Sequence, residues 1–562
     1  MKCKSRAARL REGMATAAGA AVRSVRVAAA ALGALTLIAI TPAAQAAVPG
    51  ITGAAGTPTF ALTAGPANIN QPDGNQIYSW GYGCTVGSTP GFAPSAMGQT
   101  SCPTMQIPGP TLIVHEGDTV TVTLTNNLPT AAGNTSILFP GFAVTASGGV
   151  PGLLVQEAAP AGTVTYTFTA GSPGTRAYYS GTQSDLQVEM GLYGAIIVLP
   201  KNVPVACTSG VHASNLMAQG FWSEKNFTLS QAAYDHSGSC YDREYIFQFA
   251  EMDANIHKQA QLQSAALAGC TAGAVGCALE VPTEPYHPSY FLINGRSMPD
   301  DMDPNFAAEY PNQPYNGNPH MHPGELTLLR IIGQGRWQHP FHEHANHVRI
   351  LARDGNMVLS NSTITYANGT AAEPALAGPL LFTTTTTPGM AMDGIFYFTG
   401  RGLNWDMYGH NPAFANASQN GSSTANADLP CTPDANGYNT GAPTAINYFE
   451  WCADHNKPLQ ATPLGDVPSG GPATLPDPNI FTNGAWYSGS PYLGPDATTR
   501  AVGPNTVLQP SNVQANPSNE RGWAYMWHSH NEREITTNNV FPGGMFMMML
   551  VDSREFVIDE TK

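Results

Sequence analysis

Apolar and polar residues alternate with a period of two over many short segments of this 562-residue chain. The clearest examples are 111–127 (TLIVHEGDTVTVTLTNN), 162–171 (GTVTYTFTAG) and 192–200 (LYGAIIVLP). Successive side chains of a β-strand point to opposite faces, so this alternation predicts strands that are buried on one face. Turn-forming residues separate the segments, because the chain contains 58 glycines and 46 prolines. The pattern predicts an all-β protein built from β-sandwiches.

A second group of strand-like segments fills the C-terminal half of the chain. It comprises residues 243–253, 289–301, 324–335, 347–355, 393–400, 522–530 and 545–551. Residues 401–520 are rich in Gly, Pro, Asn and Ser and carry few strand signals, so we predict a long loop-rich insertion there. The one plausible helix of note lies within 254–280. We predict two domains, 47–205 and 243–562, joined by a linker at 206–242.

The first 46 residues differ in composition from the rest. Basic residues precede the apolar run VAAAALGALTLIAI, and the small-residue sequence TPAAQA follows it. This order is typical of a secretory signal peptide, with cleavage expected after Ala46. The apolar run is about 14 residues, too short for a span of about 20, and no other stretch is long and apolar enough to cross a bilayer. We therefore expect a secreted or periplasmic protein.

The charge of the chain disfavours one class of partner. Removal of the leader takes away seven Lys or Arg residues and one Glu, which changes the formal charge from −15 to −21. Nucleic acid repels such a surface, so we expect no nucleic-acid partner. Oligomerisation is left open by the sequence.

Eight cysteines remain once Cys3 leaves with the leader. They fall in the chain as near neighbours, and the simplest scheme pairs Cys84 with Cys102, Cys207 with Cys240, Cys270 with Cys277 and Cys431 with Cys452. Eight cysteines allow about 105 pairings, so this scheme rests on short loops and an oxidising compartment. Thiolate metal ligands are the poorer alternative, because the chain has no C-x-x-C and no adjacent Cys and His.

Two short strings hold six of the 15 histidines. The first, WQHPFHEHANH, contains His339, His342, His344 and His347, and the second, WHSH, contains His528 and His530. An H-x-H pair on a strand places both imidazoles on one face. Imidazole suits copper, zinc, nickel and iron, and in an exported protein copper is the best fit. Isolated histidines are more often structural, and we assign no function to His115, His212, His236, His257, His410 and His455.

These motifs resemble those of the multicopper oxidases. HPFHEHANHVRILARDG looks like the family's H-P-x-H-x-H-G-H motif, and YMWHSHNE looks like its H-C-H motif. Further similarity lies in GPTLIVHEGDTVTVTLTNNLP, in GTRAYYSGTQSDLQVEMGLYGAIIV and in YFLINGRSMPD, which resemble parts of the family's cupredoxin domains. The resemblance implies two cupredoxin-like β-sandwich domains, with the loop-rich insertion in the second.

The resemblance also implies roles for five histidines. His339 falls at the position of a type 1 copper ligand, His342 at that of a type 2 ligand, and type 3 ligand positions are matched by His344, His528 and His530.

Departures from the family pattern are as informative as the matches. Ser529 replaces the cysteine whose thiolate a type 1 blue site needs, and Glu534 stands near the position of the second type 1 histidine. In the first domain, TSILFPGF and YYSG occupy the places of the family's H-W-H-G and Y-H-S-H motifs. The chain thus lacks four histidines of a three-copper centre, and we expect the first domain to lack copper ligands.

Two functions remain open. The first is a secreted copper protein with a reduced, histidine-only site on His342, His344, His528 and His530, with His339 or the pair His320 and His322 nearby. Such a site could act as an oxidoreductase with a small-molecule reductant, and Glu343, Glu532 and Glu534 are candidates for proton transfer or for orienting ligands. Those carboxylates could equally be solvated or paired with Arg349 and Arg533. The second function is a non-enzymatic scaffold or metal-sequestering protein.

Overall fold

The computed structural model describes residues 48–208, 231–321, 325–345, 347–365, 372–397, 432, 489–492, 522–552 and 558. The predicted leader and nearly all of the predicted insertion lie outside these residues. Within them, no helix is long and apolar enough to cross a membrane.

The first β-sandwich contains ten strands. They are β1 (Gly50–Thr52), β2 (Thr59–Asn70), β3 (Gln76–Cys84), β4 (Gly91–Ala93), β5 (Leu112–His115), β6 (Thr119–Asn126), β7 (Thr145–Gly148), β8 (Thr163–Thr169), β9 (Gly174–Tyr179) and β10 (Tyr193–Leu199). One sheet has the order β4-β1-β5-β10-β9 and the other the order β3-β2-β6-β8-β7. Alternate residues of β6, such as Val120 and Val122, are buried in the same core as Ile196 and Val198 of β10. The period-two pattern of the sequence is therefore the inner face of this sandwich.

Short elements lie within the first sandwich, between the two sandwiches and after the first strand of the second. They are α1 (Ser184–Gln187), α2 (Val205–Thr208), β11 (Gln231–Ala232), β12 (Cys240–Tyr241) and, after the first strand of the second sandwich, α3 (Ala254–Ala266). Single 3₁₀ turns occur at Ser95–Met97, Thr130–Ala132, Ser237–Ser239, Asp300–Met302 and Glu532–Ile535. The carboxylate of Asp253 caps α3 by accepting a hydrogen bond from the backbone N–H of Asn255 (2.9 Å). The predicted helix thus exists, but it ends at Ala266.

The second β-sandwich contains the remaining strands. They are β13 (Arg243–Met252), β14 (Tyr290–Ile293), β15 (His320–Met321), β16 (Leu326–Gly333), β17 (His339–Glu343), β18 (Val348–Arg353), β19 (Asn356–Met357), β20 (Leu359–Ile364), β21 (Glu373–Leu376), β22 (Leu380–Leu381), β23 (Thr383–Thr386), β24 (Ala391–Tyr397), β25 (Gly489–Tyr492), β26 (Gly522–Ser529) and β27 (Phe546–Asp552). One sheet runs β14-β13-β16-β24-β18-β19, with β22 beside β18. The facing sheet runs β15-β27-β26-β17-β23, with β25 beside β26. Strands β20 and β21 form a separate two-stranded ribbon.

Aromatic and sulfur-containing side chains fill the second core. Phe247 and Phe249 of β13 contact Phe341 of β17, and Trp527 of β26 packs edge-on against Phe341. The prediction of an all-β fold with two β-sandwiches is confirmed. The domain limits at 205 and 243 stay predictions.

Three of the four predicted disulfides are present. They join Cys84 to Cys102, Cys207 to Cys240 and Cys270 to Cys277. The fourth predicted pair, Cys431 and Cys452, lies outside the described residues. Disulfides of this kind are typical of proteins that fold in an oxidising compartment.

Candidate metal centre

The two histidine strings lie on neighbouring strands of the second sandwich, although nearly two hundred residues separate them. Strand β17 pairs antiparallel with β26, so that Phe341 faces Ser529, His342 faces His528, and Glu343 faces Trp527. The strands are central in their sheet, with β23 on one side and β27 on the other.

The pleat of these strands separates their side chains into two sets. Phe341 and Trp527 belong to the aromatic core, so residues of the same parity face inward. The inward set therefore includes His339, Glu343 and Ser529. The opposite face carries His342 and His528, and it continues just beyond the strand ends with His344 and His530.

Four imidazoles gather on this outer face. Their ring centroids are 5.1 Å apart for His342 and His344, 5.5 Å for His342 and His528, 4.7 Å for His342 and His530, and 5.1 Å for His344 and His528. His342, His344 and His528 are buried, whereas the side chain of His530 is half exposed. We call these four residues the histidine cluster.

Local hydrogen bonds orient two of the rings. The Nδ1 of His342 is hydrogen-bonded with the hydroxyl of Thr383 on β23 (2.6 Å), and the Nδ1–H of His528 donates to the carbonyl of Ser529 (2.6 Å). This arrangement leaves Nε2 as the nitrogen suited to coordination in both rings. A hydrogen bond to the far ring nitrogen is the usual way in which proteins orient metal-binding histidines.

The cluster favours neutral imidazoles, the form that binds metals. Burial, together with the proximity of His528 and His530, lowers the pKa of His342 to about 4. Burial also lowers the pKa of His528. Both rings are therefore uncharged at neutral pH.

The donor geometry fits a transition metal in part. The Nε2 atoms of His344 and His528 are 3.2 Å apart. Two nitrogens bound at about 2.0 Å to one tetrahedral ion are about 3.3 Å apart, so this pair already has a suitable separation. As the rings stand, no three His, Cys, Asp or Glu side chains in the described part of the chain surround a common point. A third ligand would require a ring such as His342 or His530 to rotate.

His339, predicted as a fifth ligand, lies in the inward set with two carboxylates. Its Nδ1 is 2.9 Å from Oε2 of Glu534, and its Nε2 is 2.9 Å from Oε2 of Glu251. Burial alone would lower the pKa of His339, but the hydrogen bonds and charges of Glu251 and Glu534 outweigh it and raise the pKa to about 9. His339 is therefore an imidazolium at neutral pH, and its two ring N–H groups both donate.

The three candidate carboxylates have different surroundings. Glu343 is fully buried in the inward set, where burial raises its pKa and the Thr384 hydroxyl donates to it (2.9 Å). Glu532 is largely exposed, with its Oε1 3.6 Å from Nδ1 of His530. Of these three, Glu532 contacts the histidine cluster directly, and Glu534 contacts the inward His339.

Other predicted residues lie apart from the cluster. His320 is in β15, where its backbone exchanges hydrogen bonds with the Tyr245 hydroxyl, and His322 lies outside the described residues. His257 of α3 is hydrogen-bonded to the carbonyl of Tyr78 in β3 (2.6 Å) and to the carbonyl of Glu189, between α1 and β10 (3.0 Å). Such contacts are those of a structural histidine.

The two segments that replace histidine motifs in the first domain lie side by side. The backbone N–H of Leu138 donates to the carbonyl of Tyr179 (2.7 Å), and the hydroxyl of Ser136 bonds with that of Thr182 (2.8 Å). The hydroxyl of Ser180 donates to Gln187 (2.7 Å). Hydroxyl and amide groups thus satisfy one another here, in a region without histidine.

Comparison with known proteins finds a family similarity in the first sandwich. A family model described as multicopper oxidase matches residues 96–203, which span most of the first sandwich from β5 onward. This part of the chain is similar to the multicopper oxidases.

Two curated relatives illustrate the similarity. Multicopper oxidase MCE of Talaromyces pinophilus is 38% identical over 107 residues, which cover 18% of this chain and 17% of that protein. Copper resistance protein A of Escherichia coli is 32% identical over 150 residues, 26% of this chain and 24% of that protein. The matched segments span less than a quarter of either relative. The crystal structure of a blue copper oxidase from Nitrosomonas europaea is 14% identical, with a TM-score of 0.41 over 88% of this chain and 85% of that one.

Two residues of the site were not among the sequence candidates. Thr383 stands in a run of five threonines, and only the pairing of β23 with β17 shows that its hydroxyl reaches His342. Glu251 lies 88 residues before His339 on the facing sheet, and no local pattern connects the two.

Proposed function

We propose that this protein, part of which is similar to the multicopper oxidases, binds copper through His342, His344, His528 and His530. The observation that carries the proposal is the convergence of the four imidazoles on one face of β17 and β26, with ring centroids from 4.7 to 5.5 Å apart. Nitrogen ligands of this kind suit copper, and an exported protein meets copper more readily than a cytosolic one. One or two ions are compatible with four donors.

Each histidine has a distinct task in this site. His344 and His528 provide the pair of Nε2 atoms with the right separation, and Thr383 fixes the ring of His342 beside them. His530 is the half-exposed member, so it is the side chain that can turn toward an arriving ion. His339 stays in its ion pair, because coordination would require it to give up a hydrogen bond to Glu251 or Glu534.

Bound copper would supply one-electron redox chemistry between its two common oxidation states. The chain would contribute a site without thiolate, since Ser529 stands at the cysteine position of the family. Glu532, 3.6 Å from His530 and open to solvent, would exchange protons with a reductant at the cluster. We infer an oxidoreductase that takes electrons from a small-molecule reductant and passes them to a small-molecule electron acceptor from solution.

We also propose that the protein works outside the cytoplasm. The signal-like residues 1–46 and the three disulfides of the structure support this location.

The test compares copper binding by the wild-type protein and by a His344→Ala/His530→Ala variant. We expect elemental analysis and paramagnetic resonance to show tight copper in the wild type and none in the variant, while circular dichroism stays unchanged. Oxidation of a phenolic reductant should be lost with the copper. The matched control is His115→Ala/His287→Ala, which removes two histidines outside the cluster and should keep full copper binding. Equal copper content in the cluster variant would overturn the proposal.

A further inference from the structure

The turn that carries His530 is fixed by hydrogen bonds to the carboxylate of Glu534. Strand β26 ends at Ser529, and His530 follows it, with its backbone N–H donating to the carbonyl of Pro340 (2.8 Å). A ligand just beyond a strand end needs further support, because side-chain position there depends on how well the turn is fixed.

Glu534 contacts both neighbours of His530 in the chain. Its Oε2 accepts a hydrogen bond from the hydroxyl of Ser529, and its Oε1 accepts one from the side-chain amide of Asn531 (2.9 Å). The backbone N–H of Asn531 also donates to the Ser529 hydroxyl (3.2 Å). The residues on either side of His530 are thus fixed to the same carboxylate.

The carboxylate of Glu534 is itself fixed by a chain of charges. Its Oε2 accepts from Nδ1 of His339, whose Nε2–H donates to Glu251 on the facing sheet (2.9 Å each). Glu251 in turn accepts hydrogen bonds from the backbone N–H groups of Arg336 (2.7 Å) and Trp337 (2.9 Å). All three charged side chains are fully buried or nearly so. Buried, charge-assisted hydrogen bonds of this kind allow little movement.

We propose that Glu534 is a positioning residue for the copper ligand His530, and that His339 and Glu251 hold Glu534 in place. This inference rests on the proposed function, since it assigns a role toward the same copper site. It gives His339 a task without coordination: the imidazolium anchors the turn from the inward face, while the cluster lies on the outward face.

The test measures copper binding by Glu534→Gln. The glutamine side chain has one acceptor oxygen and no charge. It cannot accept the hydrogen bonds of Ser529 and Asn531 on two separate oxygens, and it cannot balance the charge of the His339 imidazolium. The turn should therefore lose its fixed geometry. We expect copper affinity to fall about 10- to 100-fold, the range found when a residue that orients a metal ligand is removed. The paramagnetic resonance spectrum of bound Cu(II) should change from one species to a mixture. Asn531→Ala, an exposed substitution that removes one arm alone, should give a smaller change in the same direction.

The matched control is Glu244→Gln. Glu244 is equally buried and pairs with Arg330 (2.8 Å) on the sheet opposite the cluster. It should lower stability while leaving the copper affinity and the spectrum as in the wild type. Unchanged copper affinity and spectrum in both Glu534→Gln and Asn531→Ala, or an equal change in Glu244→Gln, would overturn the positioning role alone. A wild-type protein that takes up no copper would overturn the proposed function, and this inference with it.

Discussion

His342 of β17 lies directly opposite His528 of β26, and the centroids of their rings are 5.5 Å apart. This register determines the composition of the candidate site, because every residue that shares their parity faces the same side of the sheet. A shift of the pairing by one residue would exchange the histidines with Phe341 and Trp527 and would destroy the aromatic core. The site geometry is therefore specified by the same side chains that stabilise the sandwich.

The hydroxyl of Thr383 should be important for copper affinity. Replacement by valine in Thr383→Val keeps the shape of the side chain but removes the hydrogen bond to Nδ1 of His342. We expect copper to bind about 10- to 100-fold more weakly, measured by competition with a chelator of known affinity. Thr385→Val is the control, since Thr385 lies two residues along the same strand and faces Pro340. Comparable losses in both variants would contradict the orienting role of Thr383.

Much of the fold could be predicted from the sequence because burial on one face of a sheet leaves a period-two pattern. The predicted strand at 111–127 was too long: β5 ends at His115 and β6 begins at Thr119. Between them, Gly117 has a φ of +90° and Asp118 accepts the backbone N–H of His115 (2.8 Å), which makes a tight turn. The sequence EGD is a turn signal, and it was obscured by the strong alternation around it.

Only part of the candidate site could be predicted, and the alternation of side chains along a strand explains why. His342 and His344 differ by two positions and share a face, whereas His339 and His342 differ by three and point to opposite faces of a strand. The alternation of side chains along a strand could by itself have shown that His339 does not share a face with the four residues of the histidine cluster. Its partner Glu251 could not have been found this way, because sheet-on-sheet packing brings the two together.

The free energy of unfolding should decrease at alkaline pH because of His339. Its pKa is about 9 in the folded protein and about 6.5 when unfolded. A raised pKa contributes stability that is full below the unfolded value and is lost as the pH rises through the folded value; here the contribution is about 3 kcal/mol.

The difference in urea-unfolding free energy between the metal-free wild-type protein and metal-free His339→Gln, followed from about pH 6 to about pH 10, measures this effect. Glu189, whose pKa burial raises to about 8, makes both proteins less stable as the pH rises toward about 8, so its contribution cancels in the difference between them. His339→Gln should be less stable near neutral pH by about 3–5 kcal/mol, since it leaves two buried carboxylates without their cation. It should also lack the alkaline decrease. An identical alkaline slope in both proteins would assign the effect to another group.

After the proposed export, the protein should contain no free thiol. Three of the four predicted pairs are bonded in the structure, and the oxidising side of a membrane favours pairing of the fourth. Titration of the unfolded, unreduced protein with a thiol reagent should therefore detect none. Two reactive thiols per chain would show that Cys431 and Cys452 remain reduced.

Copper-loaded wild-type protein should lack the intense blue band of thiolate-copper sites, because Ser529 offers no sulfur. The inward face nevertheless retains side chains that converge on one point, as the ligands of such a site would. Nδ1 of His339 and the hydroxyl of Ser529 both reach the same atom, Oε2 of Glu534, and the backbone of Met545 is hydrogen-bonded to both Ser529 (2.9 Å) and Glu534 (2.8 Å). Oε2 thus occupies the point on which the side chains of His339 and Ser529 converge.

The single variant Ser529→Cys should stay colourless, because the Glu534 carboxylate still occupies that point and pairs with the His339 imidazolium. The double variant Ser529→Cys/Glu534→His replaces the carboxylate by a second imidazole and should bind one further copper ion with a blue band in the visible spectrum. Because this ion would lie on the inward face, adding His344→Ala/His530→Ala should remove the histidine-cluster copper and leave the blue band in place. A colourless double variant that is folded and takes up no further copper would show that the pocket has closed around its ion pair too tightly to accept a metal.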